Sequence, residues 1–171
     1  MRVKFIFVGV ALATLVVSGS ARADSLGQEW RGCASDDADK SIPACTAIIQ
    51  WSHGRPSSKE LAQAYLNRGN GYADRGDTQK AIADYTAAIN RDATLGNAFA
   101  ARGVLYYKAD DYKRAVADLD AAIRLDPTNA DSWAWRSRAK GALGDANGAN
   151  ADEARALQLD PSVIDNMSDD D

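Results

Sequence analysis

Apolar residues in the middle of the chain recur with the spacing of helices. Ala81, Tyr85, Ala88 and Ile89 fall on one face of a segment near 78–90 and predict an amphipathic helix there. Ahead of it, Ser57-x-x-Glu60 forms a capping box in front of Leu61, which predicts a helix running to about Asp74. Gly76-Asp77 then breaks the pattern, with Asp77 as the cap of the next helix. The start of the chain is different. Phe5 to Val17 is an unbroken apolar run of 13 residues, preceded by Arg2 and Lys4 and followed by Ala21-Arg22-Ala23. The run falls short of the ~20 residues that span a bilayer and has the layout of an export leader cut after Ala23. The expected product is a soluble exported chain, periplasmic or secreted, with a bacterial periplasm as the first expectation and without stable membrane insertion.

The pattern repeats every 34 residues. Gly69 and Gly103 stand one such step apart, as do Tyr72 and Tyr106. Ala81, Ala115 and Ala149 keep the same interval, and so do Ala88, Ala122 and Ala156. Three units follow, 62–95, 96–129 and 130–163, each reading as two helices. Pro127 and Pro161 fall just past second helices, where a missing N–H does least harm. Gly69, Gly103, Ala81 and Ala115 are small enough to let antiparallel helices approach closely. The segment 41–49 resembles 81–89 at an offset of 40, with Cys45 where a packing aromatic would stand. It predicts the second helix of a degenerate unit that caps the array, since a terminal unit lacks one neighbour.

These residues resemble the tetratricopeptide repeat. Its early aromatic is matched by Tyr65, Phe99 and Trp133, its glycine by Gly69 and Gly103, and its second aromatic by Tyr72 and Tyr106. Its late aromatic is Tyr85, and its proline Pro127 and Pro161. The third unit departs, with Ser137, Lys140 and Glu153 at the glycine and two aromatic places. The resemblance implies an all-α solenoid whose first helices line a concave surface suited to an extended peptide or a partner helix. It places the groove on Gln63, Leu66, Asn67 and Asn70, then on Asn97, Ala101, Val104, Tyr107 and Lys108, then on Asp131, Trp135 and Arg138. Asn side chains can pair with a peptide backbone as donor and acceptor together. Trp135 offers a flat apolar anchor. Relatives that grip a chaperone's C-terminal carboxylate use a basic and Asn clamp. Asn70 matches one member, whereas Leu66, Ala101, Asp131 and Trp135 fill its other places and point away from that ligand.

Composition narrows the function further. Lys+Arg 20 against Asp+Glu 24 gives a net charge of −4 in 171 residues. Loss of Arg2, Lys4 and Arg22 with the leader would take it to −7. An acidic chain without a basic cluster is a poor partner for nucleic acid or an anionic membrane. In an oxidising compartment Cys33 and Cys45 are expected to pair, closing 24–56 into a cap; two free buried thiols are the alternative. The single histidine, His53, lies in a turn-like connector, and no nucleophile–base set, phosphate loop or metal motif is present. The aspartates read as caps and solvent-facing charges, and Asp169-Asp170-Asp171 ends an acidic tail over 164–171. Val163, Ile164 and Met167 are expected to form a last apolar turn. The organisation expected is therefore a leader (1–23), a cap (24–56), a repeat domain (57–163) and a tail. No enzyme activity, cofactor or metal is expected. The work expected is that of an adaptor binding another protein or peptide, the alternative being a homo-oligomer that assembles through its end repeats.

Overall fold

The computed structural model describes residues 27–51 and 56–166. The expected leader (1–23), His53, Met167 and the terminal aspartates lie outside them. Among the described residues every regular element is a helix: α1 (27–33), α2 (Ala38–Gln50), α3 (Ser58–Asp74), α4 (Thr78–Arg91), α5 (Gly96–Lys108), α6 (Tyr112–Leu125), α7 (Ala130–Ala142), α8 (Ala146–Leu159) and α9 (Val163–Asn166).

Local signals set the ends of these helices. The Ser57 side chain accepts from the Glu60 N–H while the Glu60 carboxylate accepts from the Ser57 N–H, the reciprocal arrangement that the sequence spells out. Each turn between paired helices contains one residue in the left-handed region: Gly76 at φ 76°, Asp110 at φ 58° and Gly144 at φ 84°. That conformation favours glycine, and Asp is among the few other residues that tolerate it. Asp111 and Asp145 then cap α6 and α8 through the N–H groups of Arg114 and Gly148. Asp77 occupies the same place but makes no side-chain cap bond; its carboxylate pairs with Lys80 at 2.7 Å. Second helices end at Asp92, Asp126 and Asp160, whose carboxylates accept from the N–H and hydroxyl of Thr94, Thr128 and Ser162.

Paired helices stack into an array: α3 on α4, α5 on α6 and α7 on α8, with α4 against α5 and α6 against α7. Close approach explains the small residues. A Cβ at Gly69 would lie 2.7 Å from the Tyr85 ring, and one at Gly103 would lie 2.9 Å from Leu119 Cγ. In the third unit Ser137 takes this place and donates its hydroxyl to the Ala149 carbonyl at 2.9 Å. At the C-terminal end α9 covers the last pair. Val163 is buried, and Ile164, which the sequence reading places in the tail, packs on the same cluster as Trp135 and Ala156.

At the other end α1 and α2 form a short helix pair joined by the Cys33–Cys45 disulfide, with Cα atoms 4.6 Å apart. Both cysteines are buried with Ile48 and Ala64. Residue by residue, the alternation of buried and exposed positions over 41–50 is the same as over 81–90. The offset of 40 therefore reflects a shared packing register, with Cys45 in the slot of Tyr85.

Three aspartates depart from the solvent-facing reading. Asp84, Asp118 and Asp152 are buried, and each accepts two bonds from an arginine on the first helix of its unit: Arg68, Arg102 and Arg136, at 2.7 to 2.9 Å. Every such arginine also reaches back to the preceding unit, donating to Thr46, Thr86 and Asp120 respectively. Aromatic rings flank the guanidinium groups, with Tyr65 and Tyr72 about Arg68, Phe99 and Tyr106 about Arg102, and Trp133 beside Arg136. A planar, permanently charged fork suits this place better than lysine, because it satisfies a carboxylate and a neighbouring hydroxyl together. The hydrogen bonds that Arg68 and Arg102 donate to Asp84 and Asp118 raise the pKa values of their guanidinium groups above the ordinary value. The result is a charged ladder that fixes the register within units and between them.

Candidate functional site

The first helices α3, α5 and α7 stand side by side and leave a groove of about 670 Å³. Spacing along each helix decides which side chains enter it. Gln63, Leu66, Asn67 and Asn70 follow the i, i+3, i+4, i+7 rule on α3, and Asn97, Ala100, Ala101 and Val104 do so on α5. Asp131, Ser132 and Trp135 contribute from α7, Asn129 from its N-cap and Leu119 from α6. The floor is apolar and the rim carries amides.

Several of the amides are already oriented. Gln63 Nε2 donates to Asn67 Oδ1 at 2.8 Å, and Asn67 Nδ2 points to Cys33 Sγ at 3.9 Å. The Tyr85 hydroxyl donates to Asn70 Oδ1 at 2.9 Å. Burial pushes the Tyr85 pKa above the ordinary tyrosine range, so the hydroxyl stays protonated and able to donate. These bonds leave the Asn70 amide hydrogens and the Gln63 carbonyl oxygen for a ligand. A smaller cavity of about 270 Å³ shares Asn67 and Asn70 with the groove and extends it past Cys33, Ser35, Asp36 and Asp74. The disulfide-fastened cap thus builds one wall of the site.

Of the twelve groove residues expected from sequence, nine line the groove: Gln63, Leu66, Asn67 and Asn70 on α3, Asn97, Ala101 and Val104 on α5, and Asp131 and Trp135 on α7. Tyr107, Lys108 and Arg138 gather on Trp135 instead: the Tyr107 ring meets it edge-on at 5.3 Å, and Lys108 and Arg138 stand 5.9 and 5.2 Å from its centroid. Trp135 itself is 7% exposed and belongs to the last core cluster. It is a wall of the groove rather than a projecting anchor, because its bulk is turned in against α5. Ala100, Leu119, Asn129 and Ser132 line it as well, outside the set expected from sequence. Asn129 enters as a helix cap, accepting from the Ser132 N–H at 2.7 Å.

Among the described residues, no group of three His, Cys, Asp or Glu side chains is placed to hold a metal. No helix among them is long and apolar enough to cross a membrane.

Family models of the tetratricopeptide repeat match residues 62–95 and 96–129. The second such domain of Spaghetti (RPAP3), solved bound to the HSP90 peptide SRMEEVD, is 33% identical at a TM-score of 0.59, over 60% of this chain and 94% of that one. The second domain of human RPAP3, solved with the HSP70 peptide SGPTIEEVD, is 31% identical at a TM-score of 0.56, over 61% of this chain and 90% of that one. MamA, at 18% identity and a TM-score of 0.65 over 86% of this chain and 77% of that one, shares the fold. No curated protein matches the chain in sequence.

Proposed function

This chain belongs to the tetratricopeptide repeat family, and from the groove that its first helices build we propose that it is a non-enzymatic adaptor holding an extended segment of another protein. The observation that carries this reading is the amide-rimmed, apolar-floored groove, whose Gln63 and Asn70 retain unused donors and acceptors. An extended peptide needs partners for its own N–H and C=O groups, and carboxamides provide both. Relatives of 31 and 33% identity were solved with peptides bound, which supports the same class of ligand here. The leader over 1–23 supports a periplasmic site of action, and a Cys33–Cys45 bridge suits an oxidising compartment. The competing reading is self-assembly through the end units, whose cores here are covered by α9 and by the α1–α2 pair.

A photo-crosslinking amino acid at Asn97, in the full chain expressed in its cell of origin, tests the proposal. Asn97 lines the groove, and Gln79, exposed on α4 and absent from the groove lining, is the control. A covalent adduct with another protein from position 97 and not from position 79 is expected. Adducts of the chain with itself alone, from either position, would replace the adaptor by self-assembly.

A further inference from the structure

The groove has a sign. Asp131 is the charged residue among those lining it, and its extension toward the cap adds Asp36 and Asp74. All three carboxylates are exposed, and no ion pair among the described residues engages any of them. The nearby cations Lys108 and Arg138 stand over the Trp135 ring and are not among the residues lining the groove. The whole chain is acidic as well, at −4. The peptide bound to the similar Spaghetti domain, SRMEEVD, ends in a run rich in acids. Such a ligand would bring like charges against Asp131, Asp36 and Asp74, which disfavours both encounter and docking.

We infer that the segment received by this groove is basic: an extended stretch of another protein whose Lys or Arg side chains reach Asp131, Asp36 and Asp74 while its backbone pairs with the amides of Gln63, Asn70 and Asn97. This rests on the groove reading above and adds its ligand chemistry. The apolar floor of Leu66, Val104 and Trp135 takes the uncharged side chains between the basic ones. Steering by the net negative field raises the rate of encounter, and the carboxylates select among partners more than they tighten binding.

The test is selection from a displayed library of random ten-residue peptides, presented internally without a free C-terminal carboxylate, against the full chain at low salt. Enriched peptides are then measured against Asp36→Asn/Asp74→Asn/Asp131→Asn and against Gln63→Ala/Asn97→Ala. The expected pool is enriched in Lys and Arg. Its best member binds the triple variant about tenfold more weakly, from three exposed charge contacts, and loses affinity as salt rises. A neutral or acidic pool, or undiminished affinity for the triple variant, would overturn the charge inference and leave the groove standing. Peptides that bind the Gln63→Ala/Asn97→Ala variant as well as the wild type would overturn the groove reading itself. All five substituted residues are exposed or partly exposed, and unchanged circular dichroism certifies each variant as folded.

Discussion

Replacing Arg102 by methionine keeps the apolar stem between Phe99 and Tyr106 and deletes only the charged fork. Three hydrogen bonds vanish, two to Asp118 at 2.7 and 2.9 Å and one to Thr86 at 2.8 Å. Asp118, with an 11% exposed side chain, would remain as a buried carboxylate without its partner. Breaking such a pair from one side costs about 3–5 kcal/mol, a large share of the ~5–15 kcal/mol that holds a domain together. With a urea slope near 2 kcal/mol/M, the midpoint followed by circular dichroism should fall by about 1.5–2.5 M. Arg136→Met should lose less, because Lys140 still holds Asp152 at 2.8 Å and Asp120 can turn to solvent. The double variant Arg102→Met/Asp118→Leu should recover to within about 1 kcal/mol of the wild type, since no charge is then left buried. A single variant within about 1 kcal/mol of wild type, or a double variant no better than the single, would refute the ladder as the element that fixes register.

Further consequences follow from the same geometry. Gly69→Ala should destabilise by about 1–3 kcal/mol in chemical denaturation, because its Cβ would meet the Tyr85 ring at 2.7 Å. The raised Tyr85 pKa means that the stability it contributes is complete below about pH 10 and is lost above that, so Tyr85→Phe should flatten the alkaline limb of a melting-temperature profile. Burial works to raise the Asp152 pKa, yet hydrogen bonds from Arg136 and Lys140 hold it below the ordinary value; its contribution is present above about pH 4 and lost as pH falls through the folded value, and Asp152→Asn should blunt that acid limb. Reducing Cys33–Cys45, or replacing Cys33 by serine, should lower stability by about 3 kcal/mol and speed amide exchange over 27–50 ahead of the repeats. Intact mass before and after reduction reports the bridge as two hydrogens.

Period and burial made most of the architecture legible. The interval of 34 between Gly69 and Gly103, and between Ala81 and Ala115, marks places where backbones touch, and those places cannot drift in sequence without a clash. Cys45 could be aligned with Tyr85 for the same reason. The helix over 27–33 carries a fainter signal: Gly32 precedes Ala44 by the same twelve positions that separate Gly69 from Ala81, and a Cβ at Gly32 would lie 2.8 Å from that of Ala44. The ladder was also present as Arg68, Arg102, Arg136 and Asp84, Asp118, Asp152 at the common period. A charged side chain in a one-dimensional pattern reads as solvated until its partner on another helix is placed against it. Trp135 shows the opposite limit. Its register on α7 matches Asn67 on α3 and Ala101 on α5, yet ring volume, which periodicity does not report, sends it into the core.

Amide chemical-shift mapping of the 15N-labelled chain, titrated with the best peptide from the displayed library, tests the central claim most directly. The account predicts shifts concentrated on Gln63, Asn67, Asn70 and Asn97, including their side-chain amides, while Gln79, Lys113 and Glu153 on the second helices stay still. Shifts confined to those second-helix positions, or to the α1–α2 and α9 ends, would contradict it.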